Sequence, residues 1–117
     1  MAEISWGPAT AAEVDTLYAG RPRETVRALV IRVDGEPAGI IGLAQEPDRL
    51  RAFSEVREAL CPHLHRMSVL RAIKAFMRWV EGSAVPVYAI SEGTGLLERL
   101  GFIQFKGEEY RWPSSYP

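Results

Sequence analysis

Val85-Pro-Val-Tyr-Ala-Ile90 followed by Ser91-Glu-Gly-Thr-Gly-Leu-Leu-Glu-Arg-Leu-Gly-Phe102 is the stretch whose reading decides the fold. Its first six residues are an apolar, β-rich run that reads as a buried-type strand, with Pro86 near the start, where a missing donor is tolerated. A short amphipathic helix over Thr94 to Leu100 follows, and Gly101 stops it just before the aromatic Phe102.

Upstream, Arg66 to Glu81 carries the strongest helical period. Leu70, Ile73, Met77 and Val80 form one stripe, and Val69, Ala72, Phe76 and Trp79 form its neighbour. So wide a stripe implies burial on more than one side, with Trp79 in the core. Gly82 ends this helix. Downstream, Ile103 to Phe105 and Tyr110 to Trp112 pair as a hairpin around Lys106-Gly107. Earlier, Val26 to Val33 and Pro37 to Leu43 flank Asp34-Gly35, a pair suited to the φ > 0 positions of a tight hairpin turn. Leu50 to Val56 reads as a third long strand, although Leu50, Phe53 and Val56 also suit a helix. At the front, Glu3 to Trp6 is a short strand. Thr10-Ala-Ala-Glu13 has the spacing of a capping box opening a helix from Ala11 to Tyr18, which Gly20 stops. Arg21-Pro-Arg23 is a connector. The order β-α-β-β-β-α-β-α-β-β describes one α/β (α+β) layered domain, residues 1–117, around a mixed sheet.

The chain has 117 residues, 47% of them hydrophobic and 25% charged, the composition of an ordinary globular domain. A net charge of −1 gives no global pull toward nucleic acid or anionic membrane. No apolar run approaches the roughly 18 residues a membrane span needs, and Met-Ala-Glu-Ile-Ser-Trp has no basic stretch followed by an apolar one, so no signal peptide is expected there. Cys61 is the one cysteine, so no internal disulfide forms, which suits a reducing compartment.

From roughly Val26 to Trp112 the order resembles the GNAT superfamily of N-acetyltransferases. The residues that carry the likeness are Val69-Leu-Arg-Ala-Ile-Lys-Ala-Phe-Met-Arg-Trp79, similar to the family's central helix, and Leu96-Leu-Glu-Arg-Leu-Gly-Phe102. Within the superfamily the chain looks most like the short, degenerate GNAT-like proteins of tailed bacteriophages. The resemblance implies a GNAT-like mixed, splayed sheet whose fourth and fifth strands part to admit acetyl-CoA. In the family the pyrophosphate lies against a Gln/Arg-x-x-Gly-x-Gly/Ala loop, because glycines let backbone amides come close and the helix start adds positive potential.

Here the corresponding stretch is Cys61-Pro-His-Leu-His-Arg-Met-Ser68, and no glycine occurs between Gly42 and Gly82. The expectation is that Leu64 and Met67 fill the notch. His63, His65, Arg66, Met67, Ser68 and Val69 are the candidate pyrophosphate loop, through side-chain donors and first-turn amides. Leu97 occupies the position where many family members carry a tyrosine acid, and Tyr88 reads as a half-buried strand aromatic. Glu55 sits where family members often place the general base; the competing reading is a solvated glutamate on an exposed strand. One helix and a proline connector replace the usual two helices at the acceptor pocket, leaving it shallow.

Other constellations are weaker. Cys61, His63 and His65 offer three metal donors, but a structural zinc site needs four, so no metal is expected. Cys61 itself reads as a small buried residue. Arg49 and Arg51, in Asp48-Arg-Leu-Arg51, read as a solvated strand face. Arg21, Arg23 and Arg27 could line an anion site, though scattered surface arginines are the default. Trp112, with Tyr110, Pro113 and Tyr116, either staples the last strand or docks a protein. No Walker loop, Ser-His-Asp set or nucleic-acid signature occurs. The expectation is a GNAT-like binding or structural module with a protein partner or a homo-oligomer, in the cytoplasm of a bacterial host or virion-associated. The alternative is an acetyl-CoA-dependent N-acetyltransferase acting on an amine.

Overall fold

Asp34 and Gly35 take φ of 51° and 85°, as the Asp-Gly pair predicts for a two-residue hairpin turn matched to strand twist. The turn joins β2 (Val26–Val33) to β3 (Glu36–Gln45). Asp34 also accepts the Glu3 amide at 2.8 Å through its carboxylate, tying the turn to the start of β1 (Ile4–Pro8). These features belong to a computed structural model that describes residues 2–17, 26–90, 100–107 and 109–113. The remaining elements are α1 (Ala11–Leu17), β4 (Leu50–Val56), a 3₁₀ turn at Cys61–His63, α2 (Met67–Glu81), β5 (Val87–Ile90), β6 (Ile103–Lys106) and β7 (Glu109–Arg111). The helix expected over Thr94 to Leu100 falls mostly on residues 91–99, outside the described set. Leu100 is helical, and Gly101 follows at φ 104°.

One mixed seven-stranded sheet runs in the order β1-β2-β3-β4-β5-β7-β6. All neighbours are antiparallel except β4 and β5, which the α2 crossover makes parallel. Strand pairing settles the ambiguity of Leu50–Val56: it hydrogen-bonds to β3 along its whole length, from Gln45↔Leu50 to Gly39↔Val56. β5 starts at Val87 rather than Val85: the Leu50 amide donates to the Pro86 carbonyl at 2.8 Å, the first bond of the Leu50↔Val87 pairing, and Pro86 has no amide with which to extend the ladder backwards.

α2 lies on one face of the sheet, where Phe76, Met77 and Val80 pack against Leu29, Ile41, Leu43, Val87 and Ala89. Val69 and Ala72 meet Ile4, Ile31, Ala38 and Leu60. α1 covers the other face over Ala28, Val30 and Ile40. Its capping box forms as expected: the Thr10 hydroxyl accepts the Glu13 amide at 3.1 Å and Glu13 accepts the Thr10 amide at 3.0 Å. Two expectations for α2 fail. Leu70 is 48% exposed, and Trp79 is half-buried against the Arg27 guanidinium. A helix seated on a single sheet buries one stripe, and the residues at its margins stay wet. Trp112 staples the last strand: its ring meets Phe102 edge-on at 5.4 Å.

Candidate functional site

The β4–β5 ladder holds only three pairs, Leu50↔Val87, Arg51↔Tyr88 and Ala52↔Ala89. Beyond them β4 follows β3 to Val56, so the two parallel strands part toward their carboxy-terminal ends. The resulting wedge opens at the end of the sheet where α2 begins. The segment between β4 and α2 is held without glycine. The Arg57 amide donates to the Ala38 carbonyl at 2.8 Å, and Leu60, 0% exposed, plugs the core beneath. The amides of Leu60, Cys61, His63 and Arg66 are used up in successive tight turns.

α2 starts bare. Arg66 is its N-cap, in extended conformation, and supplies no side-chain cap. The first intrahelical bond runs from the Leu70 amide to the Arg66 carbonyl at 3.1 Å, which leaves the amides of Met67, Ser68 and Val69 without an acceptor among the described residues. Three unpartnered donors at the positive end of a 15-residue helix favour an anion. Leu64 and Met67 are 44% and 62% exposed, so they stand at the rim and are not packed into the interior. With Val56 and Leu70, each 48% exposed, they make the mouth of the wedge apolar.

The other candidates fall around this opening. Val69 buries its side chain, 1% exposed, so only its amide faces a ligand. Ser68 and His63 are partly buried and His65 is exposed. The Arg66 guanidinium leans away toward the Ala2 carbonyl at 3.5 Å. Glu55 is exposed on β4, opposite Ile40, on the face that α1 shares. Cys61, read as buried, is exposed instead; its thiol lies 3.7 Å from the Arg57 carbonyl. The first residue of a 3₁₀ turn on the surface has no core to enter. Cys61, His63 and His65 do not converge, and no group of metal-type ligands occurs among the described residues. Leu97, Arg21, Arg23 and Tyr116 lie outside those residues.

At the closed end of the wedge is a charged cluster that sequence reasoning missed. Glu46, in the β3–β4 turn, accepts the Tyr88 hydroxyl at 3.0 Å, Arg51 at 2.8 Å and Arg49 at 3.2 Å. Arg49 stacks 3.7 Å over the Tyr88 ring and reaches Glu109 of β7 at 3.3 Å, which also pairs with Arg111 at 3.2 Å. Arg49 and Arg51 are therefore a partly buried clamp across β4, β5 and β7, not the solvated face expected. Tyr88 is 7% exposed. Burial, reinforced by the Glu46 carboxylate, pushes its hydroxyl above the ordinary phenol range. It is held as a protonated donor. The one sequence signal for this cluster was the Glu46/Arg49 spacing; Tyr88 and Glu109 arrive from 42 and 60 residues away.

A second ion pair ties α1 to the sheet. Glu13 accepts Arg32 at 2.9 and 3.0 Å through both carboxylate oxygens, and that bond holds its carboxyl below the usual range. No helix among the described residues is long and apolar enough to cross a membrane.

No protein-family model matches the chain, and no curated protein sequence matches it. Solved structures do. A GNAT-family acetyltransferase from Brucella melitensis, in complex with acetyl-CoA, superposes with a TM-score of 0.61 at 14% identity, covering 93% of this chain and 86% of its own. An acyl-CoA N-acyltransferase from Pseudomonas aeruginosa gives 0.59 at 12% identity, covering 94% and 99%. AAC(6′)-Iy, in complex with the bisubstrate analogue CoA-S-monomethyl-acetylneamine, gives 0.56 at 11% identity, covering 90% and 94%. The chain therefore has the fold of the GNAT acetyltransferases, an α+β domain with a seven-stranded mixed sheet parted between its two parallel strands.

Proposed function

We propose that this domain binds a CoA thioester in the wedge between β4 and β5 and transfers its acyl group to an amine. The observation that carries the reading is a coincidence at one end of the sheet. A parallel ladder ends after three pairs beside a helix start whose first three amides have no acceptor among the described residues. A diphosphate is the ligand that such amides and the helix dipole favour. An extended, amide-bearing arm can continue along the open edge of β4 as an added strand does. The fold supports the same direction, since the Brucella relative is in complex with acetyl-CoA.

A thioester supplies an activated acyl group. The amides of Met67, Ser68 and Val69, with Arg66 swung inward and His63 and His65 at the rim, hold its phosphates. Glu55 takes the proton of the incoming ammonium, directly or through water, and so frees the lone pair that forms the new C–N bond. Tyr88 is committed to Glu46, so water protonates the departing thiolate. Holding the amine against the thioester supplies much of the rate without a dedicated acid.

The test is thermal melting with millimolar acetyl-CoA, then thiol release across a panel of amines. A ligand at a hundredfold excess over its Kd stabilises the native state by about 2.7 kcal/mol. Glu55→Gln should lower kcat while keeping the stabilisation by acetyl-CoA. Unchanged melting refutes the reading. The second reading is a non-catalytic interaction module of bacteriophage origin, virion-associated or host-interacting. The apolar rim of Val56, Leu64, Met67 and Leu70 favours it. It predicts unchanged melting together with a co-purifying protein or a homo-oligomer.

A further inference from the structure

The half-buried Trp79 borders a separate cavity. It lies on the α2 face at the closed end of the wedge, where the carboxy-terminal end of α2 passes over the start of β4. It is a groove open to solvent on one side, with a volume of about 240 Å³, lined by Leu43, Leu50 and Trp79, by the exposed Arg27 and Gln45, and by Gly82 and Ser83 at the end of α2. Arg27 and Leu43 are register partners on β2 and β3, and Gln45 and Leu50 are partners on β3 and β4, so four of these side chains project from adjacent rows of one sheet face. The Arg27 guanidinium lies 3.9 Å over the Trp79 ring and has no carboxylate partner among the described residues. Stacking occupies one flat face of the guanidinium and leaves its edge, where the N–H donors are, open. The apolar walls are the Leu43 and Leu50 side chains and the Trp79 indole. Gln45 donates its amide N–H to the Glu46 carbonyl at 3.0 Å, which fixes its side chain at the edge of the groove.

We propose that this cavity is a second ligand site, for a small aromatic monocarboxylate. The carboxylate takes the edge of Arg27 in the forked geometry that guanidinium favours, and the ring lies among Leu43, Leu50 and Trp79. The size suits this class: an enclosed apolar cavity of about 150 Å³ takes benzene, and this half-open groove has room for such a ring with its carboxylate at the exposed Arg27. A phosphate ester is a poorer fit. Its larger charge would face the negative end of α2 with a single cation to balance it.

Titration with benzoate, followed by amide and indole ¹H–¹⁵N spectra of the full chain, tests the site. Saturable shifts should centre on the Trp79 indole and on Arg27, Gln45 and Leu50, and should spare Met67 to Val69. Benzamide, the uncharged isostere, should bind at least about tenfold more weakly, as should benzoate to Arg27→Gln, since each loses a charged hydrogen bond. Acetate, which lacks the ring, should also bind more weakly. If Arg27→Gln fails to fold, the benzoate–benzamide ratio in the native protein decides alone. Equal affinity for benzoate and benzamide, shifts centred on the start of α2, or no saturable shift at millimolar benzoate would each overturn the proposal.

Discussion

Alanine at Gly39 and at Gly42 should fail for different reasons, and the difference can be measured. Both glycines lie in β3 at close approaches. A Cβ on Gly42 would stand 2.6 Å from the Arg27 carbonyl oxygen, 2.7 Å from the Ala28 Cβ and 2.9 Å from its Cα. Two of these obstacles are backbone atoms of β2, so relief requires the ladder itself to open. A Cβ on Gly39 would meet the Leu60 Cδ2 at 2.5 Å, while the next obstacles lie at 3.6 and 3.8 Å. That obstacle is a side-chain end, though Leu60 is 0% exposed and has little room to move. Overpacking costs about 1–3 kcal/mol, against about 0.4–1 kcal/mol recovered from the unfolded chain when glycine becomes alanine. Gly39→Ala should therefore cost about 2 kcal/mol and Gly42→Ala about 3 kcal/mol or more. Leu60→Ala alone should cost about 2–5 kcal/mol for the cavity. In the double variant the new methyl occupies part of that void, so its cost should fall below the sum of the two single costs by about 1–2 kcal/mol. No side-chain deletion rescues Gly42→Ala. Urea unfolding of the four variants beside the parent chain measures all of this. Additivity within about 0.5 kcal/mol at Gly39 and Leu60, or a Gly42→Ala cost below about 1 kcal/mol, refutes the reasoning.

Three further outcomes follow from the same geometry. Glu13→Gln keeps a side-chain acceptor for the Thr10 amide but loses the charge opposite Arg32, and should cost about 0.5–1 kcal/mol at neutral pH. Because the folded carboxyl titrates below its ordinary value, that stability is present above about pH 4.3 and disappears as pH falls through the folded value; an acid titration in which Glu13→Gln tracks the parent chain contradicts this. The raised Tyr88 hydroxyl works in the opposite sense: its contribution is intact below about pH 10 and is lost as pH rises through the folded value. Tyrosinate absorbance of the native protein should keep a late component that Tyr88→Phe removes, and an unchanged curve counts against the Glu46 contact. Exposed Cys61 should react stoichiometrically with a thiol reagent in the folded state, at a rate that mild denaturant leaves nearly unchanged; a thiol unreactive until unfolding would place it in the interior.

Local chemistry in this chain could be read from order alone. Thr10 and Glu13 satisfy each other's amides three residues apart, Asp34-Gly35 supplies its own φ > 0 pair, and the period of Val69 to Val80 marks α2. Each of these signals is complete within one helix or one hairpin. The strand Leu50–Val56 was ambiguous because its apolar residues suit either period, and only pairing with β3 resolves it. The start of α2 near Arg66 and its first-turn amides as an anion site were legible from the helical period; that Arg66 leaves those amides uncapped was not. Nor was it legible that the neighbouring wedge stands open, because the opening depends on where two strands stop pairing. Cys61 and Trp79 were misread because burial depends on what packs against a residue as well as on its type.

Hydrogen bonds between neighbours in sequence, and the periods that place apolar atoms on one side of an element, made the helices, the turns and the mixed sheet readable in one dimension. The Glu46–Tyr88–Arg49 clamp, the plugging of the glycine-free segment by Leu60, and the cavity between Arg27 and Trp79 join residues from separate strands. Coulomb attraction and close packing act across space with no regard for separation along the chain, so those features came into being only when the sheet closed around its core.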